Sequence, residues 1–347
     1  MTLRIGIIGY GRIGVEHAVW LSSAADCEVA TIADPTETRR ALASQRALVA
    51  VSHFQDVLDD PNIHVILVAT PTSMHFDHAM AAMRAGKHVM IEKPMATTLD
   101  QSRQLIEEAE SRKLVLSVFH NRRWDLDYLT VKSAIESGAL GRVFNIESRL
   151  GQWASCVGPA AREWRPEWRN EAAFGGGGLF DWGSHFLDQL WRLMYPAKPL
   201  RVFAQLRGNV WSSDCDDFAR VLIDFENGAT GLVEINTTTT RPLPRWHLDG
   251  TSGSAFSPFS AEYDTDVWAS LRYTPADGGA SRTLPKAQPG LTSVEIWEQF
   301  AGACVGTGEP AVGARSVLPT MALLDAARTS SREGRVVDLS DVVEWVL

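Results

Sequence analysis

Residues 3–21 read LRIGIIGYGRIGVEHAVWL. The first six positions form a short Ile-rich run of the kind buried on both faces of a parallel sheet, and the positions around 12–22 predict a helix. Between them, GYGRIG (9–14) matches G-x-G-x-x-G. In this strand–turn–helix setting the glycines have separate duties. Gly9 makes the tight turn, Gly11 lets a diphosphate approach the backbone, and Gly14 lets helix and strand pack closely. Arg12 and Ile13 complete the turn, and the N–H groups at the helix start suit phosphate oxygens. Asp34 closes the next run, EVATIAD (28–34), where a carboxylate accepts hydrogen bonds from a ribose 2′-hydroxyl and repels a 2′-phosphate. NAD is therefore the expected cofactor and NADP is disfavoured, although Arg39 and Arg40 follow closely.

The alternation continues to about residue 120. HVILVAT (64–70), HVMIE (88–92) and LVLSVF (114–119) are further apolar runs, with helical stretches around 73–85 and 98–110 between them. Such βαβ units predict a parallel sheet. Beyond residue 120 the character changes. Residues 126–137 and 179–194 predict helices, and RVFNIESRL (142–150) predicts a strand with one solvated face. Segments 200–207, 218–225, 229–239 and 245–249 read as strands, and 295–305 and 317–332 as late helices. The expected fold class is an α/β N-terminal Rossmann domain over 1–121 and an α+β C-terminal domain over 122–347. The second domain carries an open, largely antiparallel sheet, and its C-terminal helix packs back toward the first.

Composition narrows the partners. The 347 residues carry a net charge of −9, and 45% are hydrophobic, which points away from nucleic acid and from a disordered or fibrous chain. No apolar run approaches the roughly 18 residues of a membrane span. The start, MTLRIGIIGYG, lacks the pattern of a signal peptide, so a cytoplasmic location is expected. Cysteines 27, 156, 215 and 304 form no C-x-x-C pair and read as reduced thiols.

Three further stretches carry chemistry. ATPTSMH (69–75) lies at the carboxyl end of a strand, where such sheets bind ligands, and sets Thr70, Pro71 and His75 beside the cofactor. His75 and His78 are three apart, but no third ligand is apparent, and DCDD (214–217) reads as an acidic turn, so no metal is expected. IEKPMA (91–96) places Glu92 and Lys93 at another strand end. A lysine facing nicotinamide can hydrogen-bond a substrate hydroxyl and stabilise charge developing on its oxygen; Lys-Pro is equally a plain strand terminator. Finally, GGGGLFDWGSHFLDQLW (175–191) runs four glycines into a segment with Asp181 and His185 four apart. Before it, residues 151–178 hold Trp153, Trp164, Trp168, Arg165 and Arg169 in a long loop of the functional or flexible kind.

Together GYGRIG, the T-P-x-x-x-H of 70–75, AGKHVMIEKP (85–94) and GGGLFDWGSHFLDQL (176–190) resemble the Gfo/Idh/MocA oxidoreductase family. Glucose–fructose oxidoreductase and inositol dehydrogenases are members. ENGATG (226–231), GTSGS (250–254) and AARTSSREGRVVDL (326–339) are similar to that family's second domain and tail. The resemblance implies a Rossmann domain carrying NAD(P), and a C-terminal sheet that shapes the substrate pocket and joins a homodimer or homotetramer. It implies that Lys93 contacts substrate, that Asp181 and His185 serve acid–base chemistry, and that the Lys93–Pro94 bond is cis.

Residues four apart on a helix share a face, so Asp181 is expected to hold and polarise His185, while the glycines let backbone pass under substrate or nicotinamide. The bland reading of the same stretch is a capping aspartate and a hydrogen-bonded core histidine. The expected reaction is reversible, NAD-dependent oxidation of a secondary alcohol of a sugar, sugar derivative or inositol to a ketone. Trp182 stands where inositol dehydrogenases usually carry a small polar residue, a departure that turns the expectation away from myo-inositol. Indole faces match the C–H faces of such rings, so at least one of Trp153, Trp164, Trp168 and Trp182 is expected in the pocket, with Arg165 and Arg169 donating to hydroxyls. A lyase or glycosidase with tightly bound NAD in transient redox uses the same parts. A cofactor-binding regulator without catalysis would not need Lys93, Asp181 and His185.

Overall fold

The first half of the chain is a sheet of six parallel strands wound with helices. The computed structural model describes residues 2–156, 168–260, 262–342 and 344–345. The chain order is β1 (Leu3–Ile8), α1 (Arg12–Leu21), β2 (Cys27–Ala33), α2 (Glu37–Gln45), β3 (Val49–Val51), α3 (Phe54–Leu58), β4 (Val65–Val68), α4 (His75–Arg84), β5 (His88–Ile91), α5 (Leu99–Ser111) and β6 (Leu116–Val118). The strands lie in the order β3-β2-β1-β4-β5-β6. Direction of winding reverses between β1 and β4, and there the loops after the strands part to leave a crevice. β4 is buried along its whole length, as an apolar run covered on both faces must be. The short β3 gave no separate signal in the sequence, because three residues carry too little periodicity to read.

The second half follows with α6 (Leu126–Glu136), β7 (Val143–Gly151), a π-helical turn (Leu179–Gly183), α7 (Ser184–Met194), β8 (Pro199–Arg207), β9 (Phe218–Phe225), β10 (Thr230–Asn236), β11 (Trp246–Gly250) and β12 (Gly253–Phe256). Then come α8 (Thr265–Trp268), β13 (Arg272–Pro275), β14 (Arg282–Thr283), α9 (Ser293–Cys304), α10 (Leu318–Glu333) and β15 (Val337–Asp338). Nine strands form a sheet in the order β14-β13-β12-β11-β7-β10-β9-β8-β15. β7 and β10 pair in parallel and every other pairing is antiparallel, so the expected fold class holds for both halves. In FARVLIDF, Ala219, Val221, Ile223 and Phe225 point inward, while Arg220 and Leu222 face outward. Helices α7 and α10 cover the inward face. The outward face leaves Phe144, Leu222 and Phe256 exposed.

Buried contacts tie the second half to the Rossmann sheet and to the segment that leaves it. Helix α9 starts in a capping box between Thr292 and Glu295 and lays Ile296, Trp297 and Phe300 against Ile5, Ile7, Tyr10 and Phe119 of the first half. Arg123, just past β6, makes a two-pronged pair with Asp188 of α7, both bonds 2.8 Å. Asp188 also accepts from Thr320 of α10, and Arg123 donates to Ser316. Burial alone would raise the Asp188 carboxyl, but the Arg123 guanidinium holds it well below the usual carboxylate range. No helix among the described residues is long and apolar enough to cross a membrane.

Removing one partner of a buried ion pair strands the other charge. Asp188→Ala should therefore lower the unfolding free energy by about 3–5 kcal/mol in urea titrations at pH 7. A loss below about 1 kcal/mol, the scale of a solvent-exposed pair, would mean that Arg123 is solvated or paired otherwise.

Candidate active site

The ends of β1, β2, β4 and β5 open into a cleft lined by Gly9, Gly11, Arg12, Ile13, Asp34, Thr70, Pro71, His75, Glu92 and Lys93. Its near end is built as an anion site. Gly9 has φ of +94°, and a Cβ there would lie 2.6 Å from the Ala69 carbonyl oxygen. A Cβ on Gly14, which is not among the cleft-lining residues, would lie 2.2 Å from the Gly9 carbonyl oxygen. A Cβ on Gly11 would meet only the Arg39 guanidinium, so this glycine keeps the cleft side of the turn clear. The N-terminus of α1 carries no side-chain cap, which leaves its first N–H groups for phosphate oxygens. Each Asp34 oxygen accepts one backbone N–H, from Tyr10 and from Thr36, both at 2.8 Å. Each retains a lone pair for a ribose hydroxyl. These residues fit NAD.

The Lys93 loop is held from both sides. Its Lys93–Pro94 peptide is cis, as is Tyr195–Pro196. His75 spans the two strand ends, with Nδ1 2.8 Å from the Pro94 carbonyl oxygen and Nε2 2.9 Å from that of Thr70. A neutral imidazole donates to only one of them at a time, and burial keeps the His75 pKa below its ordinary value. Glu92 is fixed by a buried chain of partners. The indole N–H of Trp297 can only donate, and it donates to His17 Nδ1 at 2.9 Å. That leaves His17 neutral with its proton on Nε2, 2.8 Å from Glu92 Oε1. Burial works to raise the Glu92 carboxyl, but His17 and Lys93 bring it below its ordinary value.

Lys93 reaches across to the second half. Its Nζ donates to the Asp181 carbonyl at 2.6 Å and to Asp181 Oδ1 at 3.1 Å. Arg169 Nε lies 3.7 Å from the same oxygen. Burial would raise the Asp181 carboxyl, and Lys93 and then Arg169 keep it low and ionised. The expected Asp181–His185 hydrogen bond is therefore corrected. Asp181 lies in the π-helical turn that precedes α7, and its carboxylate is taken by Lys93. His185, at the start of α7, is buried behind the cleft lining, and its Nδ1 has no hydrogen-bond partner among the described residues. Burial first, then the charges of Lys93 and Arg122, push its pKa well down, so it stands neutral.

The glycine run threads between protein surfaces, and it is the protein's own atoms that crowd it. A Cβ on Gly176 would lie 2.4 Å from the Arg169 carbonyl oxygen. Gly177, with φ of +106°, has Asp216 Oδ1 2.3 Å from where a Cβ would sit. Asp216 then accepts the Leu179 N–H at 2.7 Å, fixing the start of the π turn. Of the tryptophans, Trp168 lines the cleft together with Arg169, whose guanidinium is 4.3 Å from its ring. Trp153 is exposed and packs on Trp211, away from the cleft. Trp182 stacks on Tyr263 at 5.1 Å and is likewise not among the cleft-lining residues. Trp164 and Arg165 lie outside the described residues. His17, His120 and Asp216 are the residues that sequence reasoning missed. The position of His120 at the carboxyl end of LVLSVF was the one available signal. Among the described residues, no group of three or more His, Cys, Asp or Glu is placed to hold a metal ion.

Comparison with known proteins agrees with this architecture. Residues 3–120 match the model of an oxidoreductase family with an NAD-binding Rossmann fold, and residues 128–256 match the GFO/IDH/MocA C-terminal domain. The chain is similar to the uncharacterized oxidoreductase YdgJ of Escherichia coli K12, 38% identical over 61% of this chain and 60% of that protein, so it spans less than two thirds of that relative's length. It is 27% identical to the scyllo-inositol 2-dehydrogenase (NADP(+)) IolW of Bacillus subtilis 168, over 84% of this chain and 78% of that one. The crystal structure of an NAD-binding protein from Listeria innocua superposes with a TM-score of 0.86 at 30% identity, covering 97% of both chains.

Burial pushes the Asp216 carboxyl up to about 6 from an ordinary 3.8, partly opposed by the Leu179 N–H. Between those values the folded chain keeps a proton that the unfolded chain has released, so this group's contribution to stability falls as pH rises through the window. Asp216→Asn removes the titration. The stability of the variant relative to the parent should therefore climb from about pH 4 to about pH 6 and then level off in thermal unfolding scans. A difference independent of pH would contradict the assignment.

Proposed function

The chain belongs to the GFO/IDH/MocA oxidoreductase family, and from that premise we propose that it oxidises a secondary alcohol of a sugar, sugar derivative or inositol to the ketone, reversibly, with NAD. The observation that carries the reading is the Lys93 ammonium, tied to Asp181 in the same cleft as an uncapped helix N-terminus and Asp34. IolW, a scyllo-inositol dehydrogenase by name, supports a ring polyol as the substrate class.

Lys93 donates to the substrate oxygen and stabilises the negative charge that gathers there as the hydroxyl proton departs. Asp181 holds the lysine in place and is itself kept ionised. The neutral imidazole of His185 takes the proton. Bound NAD supplies the hydride acceptor for the same carbon. Trp168 and Arg169 give the ring an apolar face and a donor at the cleft edge. The outward face of the second sheet, with Phe144, Leu222 and Phe256, is the surface for a homodimer or homotetramer.

Lys93→Ala and His185→Ala should each lower kcat by roughly 10²–10⁴-fold while the Kd for NAD, measured by calorimetry, stays within about twofold. NADH absorbance against a panel of cyclitols, aldoses and their keto derivatives reads the activity. An alanine variant with near-full turnover removes that residue from the reaction. Cofactor choice is a separate test. The Asp34 carboxylate lines the cleft at the end of β2 and would repel a 2′-phosphate, so catalytic efficiency should favour NAD, and Asp34→Ser should narrow the gap. Equal or better efficiency with NADP in the parent enzyme contradicts this.

A further inference from the structure

His120 follows β6 at the carboxyl edge of the Rossmann sheet, is 1% exposed, and takes no part in the reaction as described above. Neither of its ring nitrogens has a hydrogen-bond partner among the described residues, and the same holds for Nδ1 of His185. The two rings meet edge to face, centroids 5.6 Å apart and planes at 86°. A neutral imidazole has one donor and one acceptor, and each buried polar atom left unpaired costs about 1–3 kcal/mol. Three unpaired nitrogens in two adjoining rings are a concentration that native interiors avoid unless a small polar molecule joins them. The neighbours that could compete are already engaged. Asp181 is bound to Lys93 and Asp188 to Arg123; Arg245 donates to Gln189 and Ser148, and its Nε, which makes no hydrogen bond, faces Asp127 Oδ2 at 3.3 Å.

We propose that His120 is a positioning residue for His185: a water shared between the two imidazoles accepts from His185 Nδ1–H and donates to His120. In this arrangement His185 keeps its proton on Nδ1 and its lone pair on Nε2. His120 thereby does for His185 what a carboxylate does for many catalytic histidines, without adding a charge. A neutral partner suits the surroundings. Glu92 and Lys93 face the pair from the end of β5, Arg122 and Arg123 from the segment after β6, Asp188 from α7, and Arg245 from the start of β11. The proposal rests on His185 as the proton acceptor.

The test is ¹⁵N-histidine NMR of the full chain, with the His185 ring assigned by its absence in His185→Asn. In the parent protein at pH 7, His185 should show the Nδ1–H tautomer. His120→Phe keeps a ring and removes both nitrogens; it should mix the tautomers, move the pH profile of kcat and lower kcat by about ten- to a hundredfold, as loss of an outer partner does. KM for NAD should stay unchanged. His120→Gln, which keeps a donor and an acceptor, should restore the tautomer and much of kcat. An Nε2–H tautomer in the parent overturns the proposal even if no variant folds. So does a His120→Phe variant whose tautomer and pH profile match the parent, whatever its kcat. Near-full activity of His185→Ala instead removes the functional reading, and the tautomer measurement stands apart from it.

Discussion

The ion pair between Lys93 and Asp181 is the point on which the two halves of this protein agree. One partner stands on the loop after the fifth Rossmann strand, the other in the π-helical turn that opens the central helix of the second half. Each is braced from behind. Trp297 and His17 fix Glu92, and His75 holds Pro94, while Asp216 and the glycine run set the turn that carries Asp181. A part-buried pair of this kind is weak evidence for stability, since desolvation offsets much of the attraction. Its value lies in geometry: it sets an ammonium group at a fixed place in the cleft.

That placement explains the ionisation states around it. Asp181 stays charged because two cations face it. His185 stays neutral because it is buried and faces the charges of Lys93, Arg122 and Arg245, which is the state a proton acceptor needs. Here the charge partner of the lysine and the orienting partner of the histidine are separate groups, and the second role falls to His120 in the arrangement proposed above.

Much of the fold could be read from local pattern. GYGRIG after an Ile-rich run, with Asp34 one strand later, specifies a dinucleotide fold because each glycine has its own steric duty: Gly9 against Ala69, Gly11 on the cleft side of the turn, Gly14 against Gly9. RVFNIESRL read as a strand with one solvated face, and in it Ile146, Ser148 and Leu150 are buried while Glu147 and Arg149 between them are not. The site was less legible. Lys93 and Asp181 could be named, yet their mutual bond joins positions 88 residues apart, and spacing alone favoured the Asp181–His185 pair. Lys93 takes the carboxylate from across the chain, and no local spacing announces such a partner. His17 and His120 belong to no motif, and a core histidine and a functional one look the same in sequence until their partners are seen.

The central claim is that an alcohol held at Lys93 gives its hydride to the cofactor and its proton to His185. The most direct measurement follows a deuterium label from carbon. The enzyme is incubated with NAD and with scyllo-inositol, myo-inositol or glucose deuterated at the ring carbons, and the reduced cofactor is examined by NMR. The account predicts that with at least one such alcohol the label accumulates at C4 of the nicotinamide in step with ketone. NAD that binds but never acquires the label from any ring polyol would contradict it.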